Sequence, residues 1–147
     1  MELSWLDGGD RTPPSSDDLA RVGVLCEHIP PEADDLDAHL DRLAADRGYR
    51  TRDEVALSPD TPGLDEMLGK FAREHLHDDD EVRYVLEGAG IFDIRSHDDR
   101  WIRLQVEVGD LVVLPAGIYH RFFLTDEKCI RCVRLFKDEA GWVPHYR

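Results

Sequence analysis

From Glu81 onward the chain reads as a series of short, β-rich runs: Val82–Leu86, Ile91–Ile94, Trp101–Val106, Leu111–Leu114, Tyr119–Leu124 and Ile130–Phe136. β-Branched and aromatic residues in such runs suit a pleated, half-buried surface. Glu87-Gly88-Ala89-Gly90, His97-Asp98-Asp99 and Val108-Gly109-Asp110 punctuate them as turn signals. Regularly spaced short strands with tight turns predict an antiparallel sandwich or barrel. The first half reads differently. Ser16 precedes Asp17-Asp18-Leu19 as a cap, Leu36, His39, Leu40 and Leu43 share one helical face up to Gly48, and a short helix is predicted from about Pro62 to Phe71. With 147 residues, one core and one domain are expected, residues 1–70 being helices and loops packed on a barrel formed by residues 71–147.

The net charge of −14 disfavours nucleic acid and anionic membranes as partners, because a field of that sign repels both. No apolar run approaches the ~20 residues of a membrane span, and Glu2, Asp7 and Asp10 break any basic-then-apolar leader, so a cytoplasmic protein is expected. The acidic surface favours a monomer. Three cysteines do not make a disulfide framework, in keeping with a reducing compartment. Cys129 and Cys132 stand three apart on a strand-like segment and so face opposite sides, which argues against a redox or zinc role; Cys26 sits in an apolar patch and is expected to be buried.

Two segments carry chemistry. His75 and His77, two apart on an extended segment, project to one face, and Glu81 follows within one turn of chain. His120, behind the turn Pro115-Ala116-Gly117, would come from a neighbouring strand. Imidazoles with a carboxylate suit iron, nickel, cobalt or manganese, whereas calcium and magnesium prefer oxygen alone and structural zinc prefers thiolates. Glu74 and Asp79 are candidates to hold the second ring nitrogens. Arg83 lies two beyond Glu81 and, where a strand begins there, points the same way; from the residues alone it is either a pocket cation or a solvated strand arginine. His28, His39, His97 and His145 lack ligand spacing to one another.

Gly69 before His75, Gly88 after Glu81 and Gly109 before Pro115 complete a pattern that resembles both halves of the cupin signature, which implies a double-stranded β-helix, a jelly-roll barrel, with metal in its mouth. One departure is Leu124, where the usual pattern ends in Asn. The run from Phe71 to Gly90, Asp99-Arg100-Trp101-Ile102-Arg103, Gly109 to Phe122, Arg134-Leu135-Phe136 and the ending Trp142-Val143-Pro144-His145-Tyr146-Arg147 resemble the acireductone dioxygenase family more closely. Weaker likeness reaches forward to Met1, with the segment between Asp10 and Asp18 shortened.

That resemblance implies a mainly β cupin barrel with a few N-terminal helices and one Fe(2+) or Ni(2+) ion per chain, cobalt or manganese being possible. It implies His75, His77, Glu81 and His120 as ligands, Arg83 and Arg134 as pocket cations, and Phe71 and Phe122 as apolar walls. Arg134, with Arg131 on the same strand, could equally be surface charge. The implied reaction opens acireductone with molecular oxygen in methionine salvage. Iron is implied to give formate and 2-oxo-4-methylthiobutanoate; nickel is implied to give formate, carbon monoxide and methylthiopropionate. Alternatives are a cupin dioxygenase acting on another enediol or β-diketone, and a metal-loaded binding module without catalysis.

Overall fold

A computed structural model describes residues 1–6, 12–137 and 142–147. The elements run β1 (Glu2–Trp5), α1 (Ser16–Arg21), β2 (Leu25–His28), α2 (Leu36–Arg47), β3 (Thr51–Leu57), α3 (Leu64–Phe71), β4 (His75–Leu76), β5 (Glu81–Arg95), β6 (Trp101–Glu107), β7 (Asp110–Leu114), β8 (His120–Leu124), β9 (Ile130–Phe136) and β10 (His145–Tyr146). All pairings are antiparallel. One sheet orders β1-β6-β5-β8-β4-β10; the other pairs β2 with β7, β7 with β5, β5 with β9 and β9 with β3. The architecture is the cupin double-stranded β-helix with a few helices. Among the described residues no helix is long and apolar enough to cross a membrane.

β5 belongs to both sheets. Residues 81–88 pair with β7 and β9, and residues 89–95 pair with β6 and β8. The change of sheet falls at a register shift between Val85 and Glu87, followed by Gly88 at φ +78°. A Cβ on Gly88 would stand 2.1 Å from the Cys129 carbonyl oxygen, so no other residue fits without moving that backbone. The sequence suggested a turn at Glu87–Gly90. The structure has a bulge there instead, because bulges bend a strand and strengthen its twist without ending its pairing.

The first seventy residues also differ from the helix-and-loop expectation. β1, β2 and β3 extend the two sheets by pairing with β6, β7 and β9. These strands are short or only half buried, so their periodicity is weak, and the helical face of α2 dominates the pattern around them. Helix α1 is capped by Ser15, one residue earlier than predicted, its N–H donating to the Asp18 carboxylate at 2.8 Å. Helix α3 starts at Leu64 after the left-handed Gly63, two residues beyond Pro62.

Two apolar clusters form on opposite sides of the β5–β7–β9 sheet. Val85, Phe92, Ile94, Ile102, Leu104, Val112, Leu114 and Cys132 fill the space between the sheets. Val82, Tyr84, Leu111, Val113, Val133 and Leu135 face outward under Leu36, Leu40 and Leu43 of α2. With both faces covered, β7 is buried at every position, and its Leu111–Leu114 reads as an unbroken apolar run rather than an alternation. The consequence for the site follows from period two: with Val82 and Tyr84 committed to α2, Glu81, Arg83 and Val85 are turned inward, toward the interior of the barrel.

Candidate metal centre and pocket

β4 supplies His75, the stretch after it supplies His77, and β8 supplies His120, which is the register partner of His75. The ligand-capable nitrogens of the three rings all lie within 4.8 Å of one another. All three rings are buried. His75 Nδ1 lies 2.6 Å from the Arg73 carbonyl and His120 Nδ1 lies 3.0 Å from the Ile118 carbonyl, which fixes both ring planes. Backbone carbonyls therefore do the work expected of Glu74 and Asp79; Glu74 instead pairs with Arg95 and Arg147. Side chains adjacent to a strand ligand point to the opposite face, which is why sequence neighbours made poor candidates.

Glu81 stands beside this triad. Its Oε2 is 3.1 Å from His120 Nε2, and its Oε1 accepts from Arg83 Nη2 at 3.1 Å. Burial alone would push the Glu81 carboxyl upward, but Arg83, His120 and His77 outweigh it and hold the group well below the ordinary range. Burial lowers His75 and His77, favouring their neutral form. Burial would do the same to His120, but contact with the Glu81 carboxylate overrides it and raises that ring. His120 Nε2 and His77 Nδ1 are buried without an aligned hydrogen-bond partner, an arrangement costing about 1–3 kcal/mol per group if nothing else satisfies it. Buried imidazole nitrogens converging beside an ionised carboxylate fit a divalent cation, which would displace any proton on His120, and the three-histidine site is suited to a bound metal.

The loop carrying His77 is anchored from outside. The Asp80 carboxylate accepts from Tyr49 Oη at 2.7 Å and from the Ala116 N–H at 2.9 Å, and the Gly117 N–H donates to the His77 carbonyl at 2.8 Å. These bonds tie residues 77–80 to the Pro115–Gly117 turn that precedes His120. Asp80 was indistinguishable in the sequence from its neighbours Asp78 and Asp79, since only its distant partners set it apart.

The triad forms one wall of a cavity of about 330 Å³. Arg83 and Arg134 are register partners on β5 and β9, and both line it. Arg83 also donates to the Val82 carbonyl at 2.8 Å, and Arg134 forms a two-pronged pair with Asp53 at 2.7 and 2.5 Å. Both guanidiniums lie over the Trp142 ring, at 5.1 and 4.9 Å from its centroid. Arg134 is thus a pocket residue, whereas Arg131 pairs with Glu54 and Glu87 on the exposed face. Phe122 packs edge-on to Phe71, with centroids 6.3 Å apart, and against Phe92 at 5.0 Å. Met67, Leu57 and Ile130 continue this apolar wall. Gly90 makes room for it, since a Cβ there would be 2.7 Å from the Phe122 ring.

In the sequence Trp142 is simply part of the run Trp142–Arg147, and no spacing rule places it over β5 and β9. Its Nε1 donates to the Asp80 carbonyl at 3.3 Å. The remaining histidines stay outside the site: His28 pairs with Asp110, His39 with Glu27 and His145 with Asp78. Cys26, Cys129 and Cys132 are free thiols; Cys26 is half-buried, and burial pushes its pKa up to about 12.

A profile of the ARD/ARD′ family matches residues 11–144. This chain belongs to the acireductone dioxygenase family. It is 48% identical over 132 residues to the acireductone dioxygenase of Heterostelium pallidum, covering 90% of this chain and 89% of that protein. It is 43% identical over 155 aligned positions to the acireductone dioxygenase of Phaeosphaeria nodorum, covering 98% and 86%. Among solved structures, the Bacillus anthracis acireductone dioxygenase, with a cadmium ion in its active centre, superposes with a TM-score of 0.86 at 32% identity over 98% of this chain and 96% of that one. That structure holds a cadmium ion in its active centre, and this chain brings together three buried histidines suited to a metal.

Proposed function

We propose that this chain is a metal-dependent dioxygenase that opens acireductone with molecular oxygen, with His75, His77, Glu81 and His120 as the metal ligands. The observation that carries the reading is the convergence of three buried imidazoles with an ionised Glu81 on the wall of a cavity whose remaining surface divides into arginines and largely apolar side chains. An acireductone has the matching shape: an acidic enediol ketone at one end and an apolar thioether chain at the other. The bound metal supplies Lewis acidity and a template for the enediolate oxygens.

This chain's own side chains do the rest. Arg83, held in place by the Val82 carbonyl, Glu81 and Trp142, is a fixed cation at the cavity wall that binds and orients the enediolate. Arg134, clamped by Asp53, places a second positive charge across the strand pair. Local charge thereby draws an anion against the net charge of −14. Phe71, Phe92 and Phe122 seat the thioether chain and keep water from the reacting carbons. The products follow the metal: iron gives 2-oxo-4-methylthiobutanoate and formate, whereas nickel gives methylthiopropionate, formate and carbon monoxide. Both belong to a cytoplasmic, monomeric enzyme of methionine salvage.

The test is elemental analysis of the purified protein paired with product analysis. Protein loaded with iron is expected to yield the 2-oxo acid, and protein loaded with nickel to release carbon monoxide. A metal-replete protein that turns over a different enediol or β-diketone, and leaves acireductone untouched, would contradict the substrate assignment. One that binds such ligands without turnover would place the chain among binding modules.

A further inference from the structure

We propose that Glu74 and Arg147 are a positioning pair that holds the His75 imidazole in ligand geometry, making residues 145–147 part of the machinery of metal retention. The inference rests on the metal-site reading above and adds to it residues that touch neither metal nor substrate.

The starting point is how little β4 has to hold it. The strand is two residues long, pairs with β8 only through His75 and His120, and draws its other two pairings from β10: His145 with Leu76 and Tyr146 with His75. So short a pairing fixes a backbone weakly by itself. What secures it is the residue on either side of the ladder. The Arg147 N–H donates to the Glu74 carbonyl at 3.1 Å, continuing the pairing beyond β10. The Glu74 carboxylate accepts from Arg95 Nε and Nη2 at 2.8 and 3.0 Å, and from Arg147 Nη1 at 3.0 Å. Arg147 in turn forks onto Asp99, at 2.7 and 2.9 Å, while Arg95 Nη1 reaches the Asp99 carbonyl at 3.0 Å. Arg95 ends β5, and its N–H donates to the Tyr119 carbonyl, next to His120. The cluster thus joins the strand carrying His75, the residues preceding His120 and the 145–147 segment.

A single exposed ion pair would do little, since such pairs contribute about 0–1 kcal/mol. Glu74 differs in accepting three charge-assisted bonds from two guanidiniums while only 18% exposed, one residue before a ligand. The link to the ring is short. His75 Nδ1 is oriented by the Arg73 carbonyl at 2.6 Å, and that carbonyl belongs to the peptide joining Arg73 to Glu74. Arg73 is itself pinned by its guanidinium over the Tyr146 ring, 4.1 Å from the centroid. Releasing Glu74 frees that peptide to rotate, and the acceptor that fixes the His75 ring turns with it. His77 has its own anchor in the Gly117 N–H, and His120 opens a five-residue strand paired along its length with β5, so His75 is the residue of the three most dependent on outside support.

The experiment uses cobalt(II)-loaded full-length protein, because cobalt reports ligand geometry in its visible spectrum and needs no substrate. Wild type is compared with Arg147→Met, Arg147→Lys and Glu74→Gln for cobalt release to a chelator, visible spectrum, and melting with and without metal. Arg147→Met and Glu74→Gln are expected to release cobalt about tenfold faster, the usual scale for groups that orient a ligand, with an altered spectrum. Arg147→Lys is expected to recover part of the loss. Release and spectra matching wild type in both variants would overturn the proposal, as would equal destabilisation of metal-free and loaded protein, which would mark a merely structural clamp. If wild type itself fails to hold cobalt, the metal-site reading falls first and this inference with it.

Discussion

The polar wall of the cavity takes its histidines, Glu81 and arginines from β4, β5, β8, β9 and the loop after β4, and fixes them with directional contacts: carbonyls behind His75 and His120, Glu81 and Val82 on Arg83, and Asp53 on Arg134. The apolar wall, from Met67 and Phe71 of α3 to Phe122 and Ile130, places its side chains by ring contacts and packing. The difference teaches how work is divided. A wall held by oriented bonds fails when one partner is removed, because the remaining polar groups are left unsatisfied. A wall held by packing yields gradually and can resettle.

The largest effect is therefore expected at the proposed ligands. His120→Ala or Glu81→Ala should lower metal affinity by more than about a hundredfold, the upper range for groups that merely support a ligand, and bring turnover to background; metal content after dialysis and steady-state rates measure both. Retention of metal by either variant would break the division. Next comes Arg83→Gln, expected to cut kcat by about a hundredfold while metal content stays at wild-type level, as for loss of one fixed donor to a developing anion. A change in KM alone would move Arg83 to the role of a general binder.

On the apolar side, Phe122→Ala is expected to raise KM roughly tenfold with kcat little changed, in line with the value of a hydrophobic side chain to substrate fit. The smallest effect is that of pH. His75 and His77 have pKa values below the ordinary 6.5, so the stability they lend the metal-free fold is complete above 6.5 and is lost as pH falls below it; His120, raised by Glu81, contributes with the opposite sign and loses its part as pH rises. Because a metal needs all three rings neutral, cobalt affinity should drop by roughly a few-fold on going from pH 7.5 to 6.0. The KM effect of Phe122→Ala should not change over that interval, and a shared pH dependence would blur the two walls into one.

Much of this was legible in the sequence, for reasons that mark its limits. The convergence of His75, His77, Glu81 and His120 was readable because period two and a turn fix where strand side chains point. Arg83 followed from the same rule. The bulge at Gly88 was not, since a glycine-rich turn and a glycine that lets a strand pass close to the Cys129 carbonyl have the same composition. β1 to β3 were missed because a half-exposed strand whose partner lies far along the chain carries little periodic signal. Trp142 over two arginines, Asp80 under the ligand loop and the Glu74–Arg147 cluster all depend on contacts between segments tens of residues apart. Local pattern holds no information about those.

In the proposed function the three histidines and Glu81 hold a metal at which acireductone meets oxygen. Its most direct test is oxygen uptake by iron- or nickel-loaded protein supplied with acireductone. Oxygen and acireductone are expected to be consumed one for one, at a rate that disappears in Glu81→Ala and His120→Ala. Acireductone decaying at its background rate in the presence of metal-replete wild-type protein would contradict it.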